Sequence, residues 1–539
     1  MQLSPSAHAD TFCRDNLPAP DLWPDLEFTL PELVYPTRLN AADELLNPTI
    51  EAGGSGRRCL LSPTESWTYG EVASRANQVA RVLTEDLGLV PGNRVLLRGP
   101  NNPWLAACWL GVLKAGGVAV ATMPMLRAGE LSNIGAIAQI RLALCDWRLT
   151  DDLRAAAIPD LRVVEFGGPD PGDLTTLAAA KPAEFDSVQT AADDVAMIAF
   201  TSGTTGKPKA AMHFHRDLLA ATDSFSGHVL QPVPDDVFAG TPPLAFTFGL
   251  GALLLFPLRV GAASLLLEKA TPAELADAIA EHGVTVLSTA PTAYRAMLAA
   301  GKAAQLRGLR RPVSAGEHLP ESTWQAFYDA AGVKIIDGIG STEMLHIFIA
   351  AAGDDIRPGS TGKAVPGYTA AVLGRDGKPV ADGEPGRLAV KGPTGCTYLN
   401  DDRQRSYVQD GWNITGDTYV RDHDGYFWYQ ARSDDMIISG GYNIAGPEIE
   451  EVLLSHPDVA ECGVVGVADE ARGQIVKAYI VLTDGVVGDA DKARQLQDLV
   501  KQQIAPYKYP RAVEFVTTLP RTNTGKLQRF RLREQAASD

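Results

Sequence analysis

An apolar run that opens straight into a loop of glycines, hydroxyls and lysines is the tightest constraint in this chain. Val195-Ala196-Met197-Ile198-Ala199-Phe200 passes directly into Thr201-Ser202-Gly203-Thr204-Thr205-Gly206-Lys207-Pro208-Lys209. Such an unbroken apolar run fits a strand covered on both faces, as in parallel sheets. The glycines let backbone approach a polyanion, the hydroxyls and amide N–H groups can donate to phosphate oxygens, and the lysines neutralise charge. The pattern therefore predicts a phosphate-binding loop. It is not a Walker A loop, because only Thr204 and Thr205 separate Gly203 from Gly206 and Pro208 stands where a Mg²⁺-binding Ser or Thr is required. A mobile surface loop would use the same residue types, so the rest of the chain has to decide.

Around this junction, short apolar runs alternate with amphipathic helical segments. TYGEVASRANQVARVLTED, RVLLRG, NNPWLAACWLGVLKAGG and VAVAT read as helix, strand, helix, strand, and the pattern recurs through ELADAIAEHG with VTVLST and WQAFYDAAG with VKIIDG. This predicts layered, largely parallel α/β subdomains. After about Gly359 short β pieces punctuated by Gly and Asp predict a β-rich subdomain over about 359–431. A second break falls at Ala431-Arg432-Ser433-Asp434-Asp435. We expect a large domain over 1–432, a hinge at 433–434 and a small α+β domain over 435–539.

With 48 Lys and Arg against 65 Asp and Glu, the net charge is −17. That argues against a nucleic-acid binder, which needs a basic footprint to release counterions. From Lys501 onward the balance is locally basic, which suits a cap over an anionic ligand. The six cysteines show no metal-ligand spacing and no disulfide framework, so a reducing cytoplasm is expected. No signal peptide is expected from the N-terminus. The apolar stretches Leu105 to Met125 and Phe246 to Leu267 are interrupted by Lys114, Pro257 and Arg259, so no membrane span is expected.

Other chemistries find no anchor. His213-Phe214-His215 lacks a third ligand, no HExxH or GxSxG occurs, and Gly338-Ile339-Gly340 lacks the third glycine of a dinucleotide fingerprint.

Taken with the 201–209 loop, five further segments resemble the adenylate-forming superfamily of acyl-CoA synthetases, nonribosomal peptide adenylation domains and luciferases. They are Ser314-Ala315-Gly316-Glu317, Asp337-Gly338-Ile339-Gly340-Ser341-Thr342-Glu343, Thr415-Gly416-Asp417, Arg432-Ser433-Asp434-Asp435 followed by Gly440-Gly441-Tyr442-Asn443-Ile444, and Pro520-Arg521-Thr522-Asn523-Thr524-Gly525-Lys526. The resemblance implies that ATP meets Thr201, Ser202, Gly203, Thr204, Thr205, Gly206 and Lys207, the adenine segment Gly316 and Glu317, and Asp337 through Thr342. It further implies that Asp417 holds the ribose, that Arg432 contacts ATP and that Glu343 holds Mg²⁺. Lys526, with Thr342 and Glu343, would stabilise charge as a carboxylate displaces pyrophosphate. Asp434 would be the hinge about which the small domain turns. Gly440, Gly441 and Tyr442 would then line a path for the pantetheine of coenzyme A.

By the same resemblance the acid lies against Ala245, Phe246, Thr247, Phe248, Gly249, Ala315, Gly316, Ile339, Gly340 and His346. No acidic residue lies between Pro242 and Leu258 to pair with an α-ammonium group, which disfavours amino acids. Within the superfamily Gly340-Ser341-Thr342-Glu343-Met344-Leu345-His346-Ile347-Phe348 resembles benzoate-CoA ligases, and LAFTFGLG with MHFHRDLLA most resembles their 2-aminobenzoate (anthranilate) branch. The expected partners are an aryl acid, ATP with Mg²⁺, and coenzyme A, with Phe246 and Phe248 flanking the ring. A carrier protein is the alternative acceptor, and a non-catalytic ATP-binding module the alternative of another class. Oligomeric state stays open.

Overall fold

A computed structural model describes residues 3–201, 208–432, 435–439, 442–469, 472–504, 506–522 and 525–538. The expected phosphate-loop residues Ser202 to Lys207, the expected hinge residue Asp434 and the glycines Gly440 and Gly441 lie outside the described residues, as does the side chain of Tyr442.

The apolar runs become strands of two large sheets. In the six-stranded sheet Arg94–Arg98 lies between Leu142–Asp146 and Val118–Thr122, all parallel, and Val195–Thr201 continues beside Val118–Thr122. Lys209–Phe214 closes the edge antiparallel, with Thr201 opposite Lys209. The nine-stranded sheet runs parallel through Val237–Gly240, Val286–Thr289, Arg311–Ser314 and Ile336–Gly340, then antiparallel into Ile347–Ala350.

Helices fill the space between these layers. Tyr69–Arg81 starts with a capping box in which Thr68 and Glu71 exchange side-chain and backbone hydrogen bonds. Pro103–Lys114 starts on an Asn102 cap with proline in its first turn. Apart from Trp104 every residue of that second helix is buried, as expected of a helix enclosed on all sides. Gly111 permits the close packing of the two helices: a Cβ there would stand 2.6 Å from a Val79 methyl.

The β-rich part is a five-stranded antiparallel sheet centred on Trp412–Arg421, flanked by Pro385–Lys391 and Phe427–Arg432. The small C-terminal part pairs Val459–Asp469 with Gly473–Leu482, adds Ala512–Phe515 in parallel, and carries the helices Gly446–Leu454, Ala490–Gln503 and Arg529–Ser538. Its own buried cluster includes Ile449, Leu453, Val464, Ile480 and Leu496. The chain is thus mixed α/β, with a large N-terminal assembly of sheets and a small C-terminal one. Among the described residues no helix is long and apolar enough to cross a membrane.

Candidate active site

The loop 202–207 is framed by two strands whose ends face each other at Thr201 and Lys209. The outer strand, Lys209–Phe214, is also held from its free side. Met212 N–H donates to the Thr397 carbonyl at 2.8 Å, and the Thr397 hydroxyl donates to the Met212 carbonyl at 2.7 Å. That pairing fixes Tyr398, whose hydroxyl donates to Glu343 Oε1 at 2.5 Å, while the Lys209 ammonium lies 5.2 Å from the Tyr398 ring centroid. Glu343 is only 8% exposed. Among the described residues no group of three or more His, Cys, Asp or Glu converges as a metal cage. A single buried carboxylate fits Mg²⁺ that keeps waters and is held mostly by phosphates, the usual manner for that ion.

A second wall comes from the ends of parallel strands, where α/β sheets collect ligands. Ser314 ends one strand opposite Asp337 of the next, and Ala315, Gly316 and Glu317 follow. Gly316 has φ +90°, a backbone region that glycine reaches without strain. The Asp337 carboxyl is pushed well above the usual carboxylate range by burial, and among the described residues neither its Oδ1 nor the Ser314 hydroxyl has a hydrogen-bond partner.

Asp417 and Arg432 face each other across the antiparallel pair Trp412–Arg421 and Phe427–Arg432. The guanidinium donates to Asp417 Oδ1 at 3.3 Å, and the Asp417 N–H donates to the Thr415 hydroxyl at 3.2 Å.

Over this floor sits the loop carrying Lys526. A Cβ on Gly316 would stand 3.6 Å from Lys526 Cε, so the lysine stem lies on the adenine segment. Thr522 N–H donates to the Lys526 carbonyl at 2.8 Å, closing the turn. Arg521 fixes its place: one guanidinium nitrogen donates to Glu317 at 3.2 Å and to the Gly525 carbonyl at 2.6 Å, the other to Glu461 at 2.7 Å. Enclosure by protein holds the Lys526 ammonium below the usual lysine range, and the Arg432 charge adds to this, opposed by Asp417, Glu317 and Glu343. The residue is nevertheless exposed to solvent, so its charge is partly screened there. Burial also raises Glu317, with Arg521 opposing.

The expected acyl wall opens the short helix Thr247–Leu250. Phe246 is its N-cap residue, with extended backbone, and Phe248 its second residue; both are half-buried. Phe248 faces His346 with centroids 5.7 Å apart, and His346 sits between Phe225 at 5.5 Å and Phe256 at 4.5 Å. Burial lowers His346 to about 3, so the ring is neutral at pH 7. Its Nε2 lies 3.4 Å from the Phe248 carbonyl and its Nδ1 has no partner. Thr247 and Ala315 are both buried.

Glu343, Asp417, Glu317 and Lys526 thus come together from four distant stretches of chain. Sequence reading missed Tyr398 as the partner of Glu343 and Arg521 as the tie between the small domain and Glu317. Arg521 stood inside a quoted motif. Tyr398 had no signal, being a lone aromatic in an irregular stretch.

Two family models match the chain: the AMP-binding enzyme over residues 50–397 and the AMP-binding enzyme C-terminal domain over 448–526. The benzoate–CoA ligase of Thauera aromatica is 36% identical over 94% of this chain and 98% of its own length. Among solved structures, an anthranilate CoA ligase, AuaEII, in complex with anthranoyl-AMP superposes with a TM-score of 0.89 at 34% identity, covering 94% of this chain and 99% of that one. A benzoate CoA ligase from Burkholderia xenovorans LB400 gives 0.85 at 32%, covering 92% and 100%. The chain belongs to the AMP-binding enzyme family, the adenylate-forming superfamily, and resembles its benzoate- and anthranilate-CoA ligases.

Proposed function

We propose that this protein is an AMP-forming aryl acid–CoA ligase acting on 2-aminobenzoate or a close analogue. The observation that carries the reading is the seating of the Lys526 loop on Gly316 and Glu317, facing Asp417 and Glu343. In the first half-reaction a carboxylate oxygen of the acid attacks the α-phosphorus of ATP and the bond to pyrophosphate breaks, giving acyl-AMP. Lys526 offsets charge shared between the carboxylate and α-phosphate, and Thr342 and the 201–207 loop orient the phosphates. Asp417 and Arg432 hold the ribose, and Asp337 Oδ1, an acceptor without a donor, suits the adenine amino group. Mg²⁺ bound at Glu343 would neutralise phosphate charge.

In the second half-reaction the small domain turns about Asp434 and withdraws Lys526. The thiol sulfur of coenzyme A, arriving along Gly440, Gly441 and Tyr442, attacks the acyl carbon. AMP leaves as the thiol proton passes to solvent.

His346 supports the ortho-amino assignment. A neutral ring whose Nε2 faces the Phe248 carbonyl leaves Nδ1 as a buried acceptor, which an aniline N–H can satisfy. The aniline nitrogen is uncharged at pH 7 and so avoids the desolvation cost that an α-ammonium group would meet. All six cysteines are buried thiols, which supports a reducing, cytoplasmic setting.

The test is acid-dependent ATP–pyrophosphate exchange over a panel of benzoates, fatty acids and amino acids, followed by addition of coenzyme A. Exchange strongest with 2-aminobenzoate and thioester formed with free coenzyme A are expected. Exchange strongest with a C12 or longer acid, or thioester only on a carrier protein, would refute the assignment.

A further inference from the structure

His213 has no place in the reaction so far, yet it touches the loop that carries Thr342 and Glu343. Its ring is fully buried, and Nε2 lies 2.8 Å from the Thr342 carbonyl. A carbonyl can only accept, so Nε2 carries the proton and Nδ1, in a neutral ring, carries none. Nδ1 has no hydrogen-bond partner. The nearest acid, Asp217, is 3.9 Å away at Oδ2, too far for a hydrogen bond, and that oxygen already accepts from the Phe214 N–H at 2.9 Å. His213 is therefore not oriented by Asp217. Among the described residues its one directional interaction is the bond to Thr342.

The Thr342 carbonyl stands at the head of a strained turn. Leu345 has φ +68°, a left-handed conformation that a branched side chain rarely adopts. The turn is pinned at several points: Leu345 N–H donates to the Thr342 carbonyl at 3.1 Å, and the Thr394 hydroxyl donates to the Met344 carbonyl at 2.8 Å. His213 supplies the tie from the opposite side, and it does so from Lys209–Phe214, the strand that begins just after the phosphate loop. That strand also places Tyr398 on Glu343 through the Met212–Thr397 pairing.

We propose that His213 is a positioning residue: by donating to the Thr342 carbonyl it ties the Thr342–Glu343 loop to the strand Lys209–Phe214 of the other large sheet. This rests on the adenylation reading. An apolar side chain would fill the same buried space at least as favourably, since it would leave no unpartnered ring nitrogen. What it cannot do is donate to that carbonyl.

The experiment compares His213→Leu and His213→Gln in the full chain, with His213→Met in place of Leu if Leu fails to fold. Three readouts are taken: thermal unfolding, KM for ATP and kcat in acid-dependent pyrophosphate exchange, and conversion of supplied aryl-AMP to thioester. The donor-free variant should unfold within a few degrees of the parent, lose about tenfold or more in kcat/KM for ATP, and keep its thioester step. Gln, whose amide N–H can reach the position of Nε2, should recover most of the loss. Parental exchange kinetics in the Leu variant, equal loss in both half-reactions, or Gln no better than Leu would overturn the proposal. Failure of the parent enzyme itself to exchange pyrophosphate with any acid would instead overturn the adenylation reading.

Discussion

Gly251→Ala probes the acyl wall with a single added methyl. Gly251 lies in helical backbone at φ −59°, where alanine is favoured over glycine by about 1 kcal/mol, so any loss must come from the new contact. The added Cβ would stand 2.7 Å from His346 Nε2 and 3.0 Å from Phe256 Cζ. Phe225 and Phe256 are both 1% exposed and cannot yield, so the ring has to move toward the half-buried Phe248. A shift of roughly 1 Å restores ordinary contact and carries Nδ1 with it. Overpacking of this kind costs about 1–3 kcal/mol, and each 1.4 kcal/mol is about tenfold in affinity. We expect kcat/KM for 2-aminobenzoate to fall about 5- to 150-fold, KM for ATP to be unchanged, and the preference for 2-aminobenzoate over benzoate to shrink. Steady-state kinetics with both acids, read beside thermal unfolding, measures this. An unchanged ratio between the two acids would refute the assignment of His346 to the acid, and a rise in KM for ATP would place the ring against the nucleotide instead.

Other perturbations separate the remaining parts. Lys526→Ala should slow acyl-AMP formation by about 10²-fold or more while sparing thioester formation from supplied aryl-AMP, and equal loss of both would contradict a lysine used only in the first step. Arg521→Ala, which frees the small domain from Glu317, should slow pyrophosphate exchange roughly tenfold and leave the thioester step near the parental rate; the reverse pattern would show that the Arg521 tie serves the second step. Acid should destabilise the large domain. Burial lowers His213, His215 and His346 to about 4, about 3 and about 3. The unfolded chain therefore binds more protons below the ordinary value of 6.5, and stability is lost as pH falls through it. Between pH 8 and pH 5 each histidine costs about 2 kcal/mol, whereas Asp217, raised by burial to about 6, returns about 1.4 kcal/mol. Asp337 and Glu317, also raised by burial, act in the same sense as Asp217, so the histidine part is read by difference: the loss between pH 8 and pH 5 in denaturant unfolding should be about 2 kcal/mol smaller in His213→Leu than in the parent, and an equal loss in both would contradict it.

What the sequence made legible follows its periodicities. Strands such as Val195–Thr201 and helices such as Tyr69–Arg81 repeat local patterns that burial on one or both faces imposes, and they stand where those patterns are. Helical periodicity alone did not show that Pro103–Lys114 is enclosed on every side; that depends on which sheets it lies between. At the site, Glu343, Asp417 and Lys526 could be picked out because each stands in a segment with family character, but their convergence is tertiary. Tyr398, Arg521 and His213 act through partners far away in sequence, so no local pattern announces them. The short helix Thr247–Leu250 and the seat of His346 among Phe225, Phe248 and Phe256 had no local signal either, because that aromatic cluster is assembled from distant stretches of chain.

Oxygen labelling tests the central claim most directly. With 2-aminobenzoate carrying ¹⁸O in both carboxyl oxygens, attack on the α-phosphorus leaves one labelled oxygen in the acyl-AMP bridge, and attack by the thiol at the acyl carbon releases that oxygen with AMP. Mass spectrometry of the products should show AMP with one ¹⁸O and 2-aminobenzoyl-CoA with the other. Unlabelled AMP, or ADP and phosphate in place of AMP and pyrophosphate, would contradict the account.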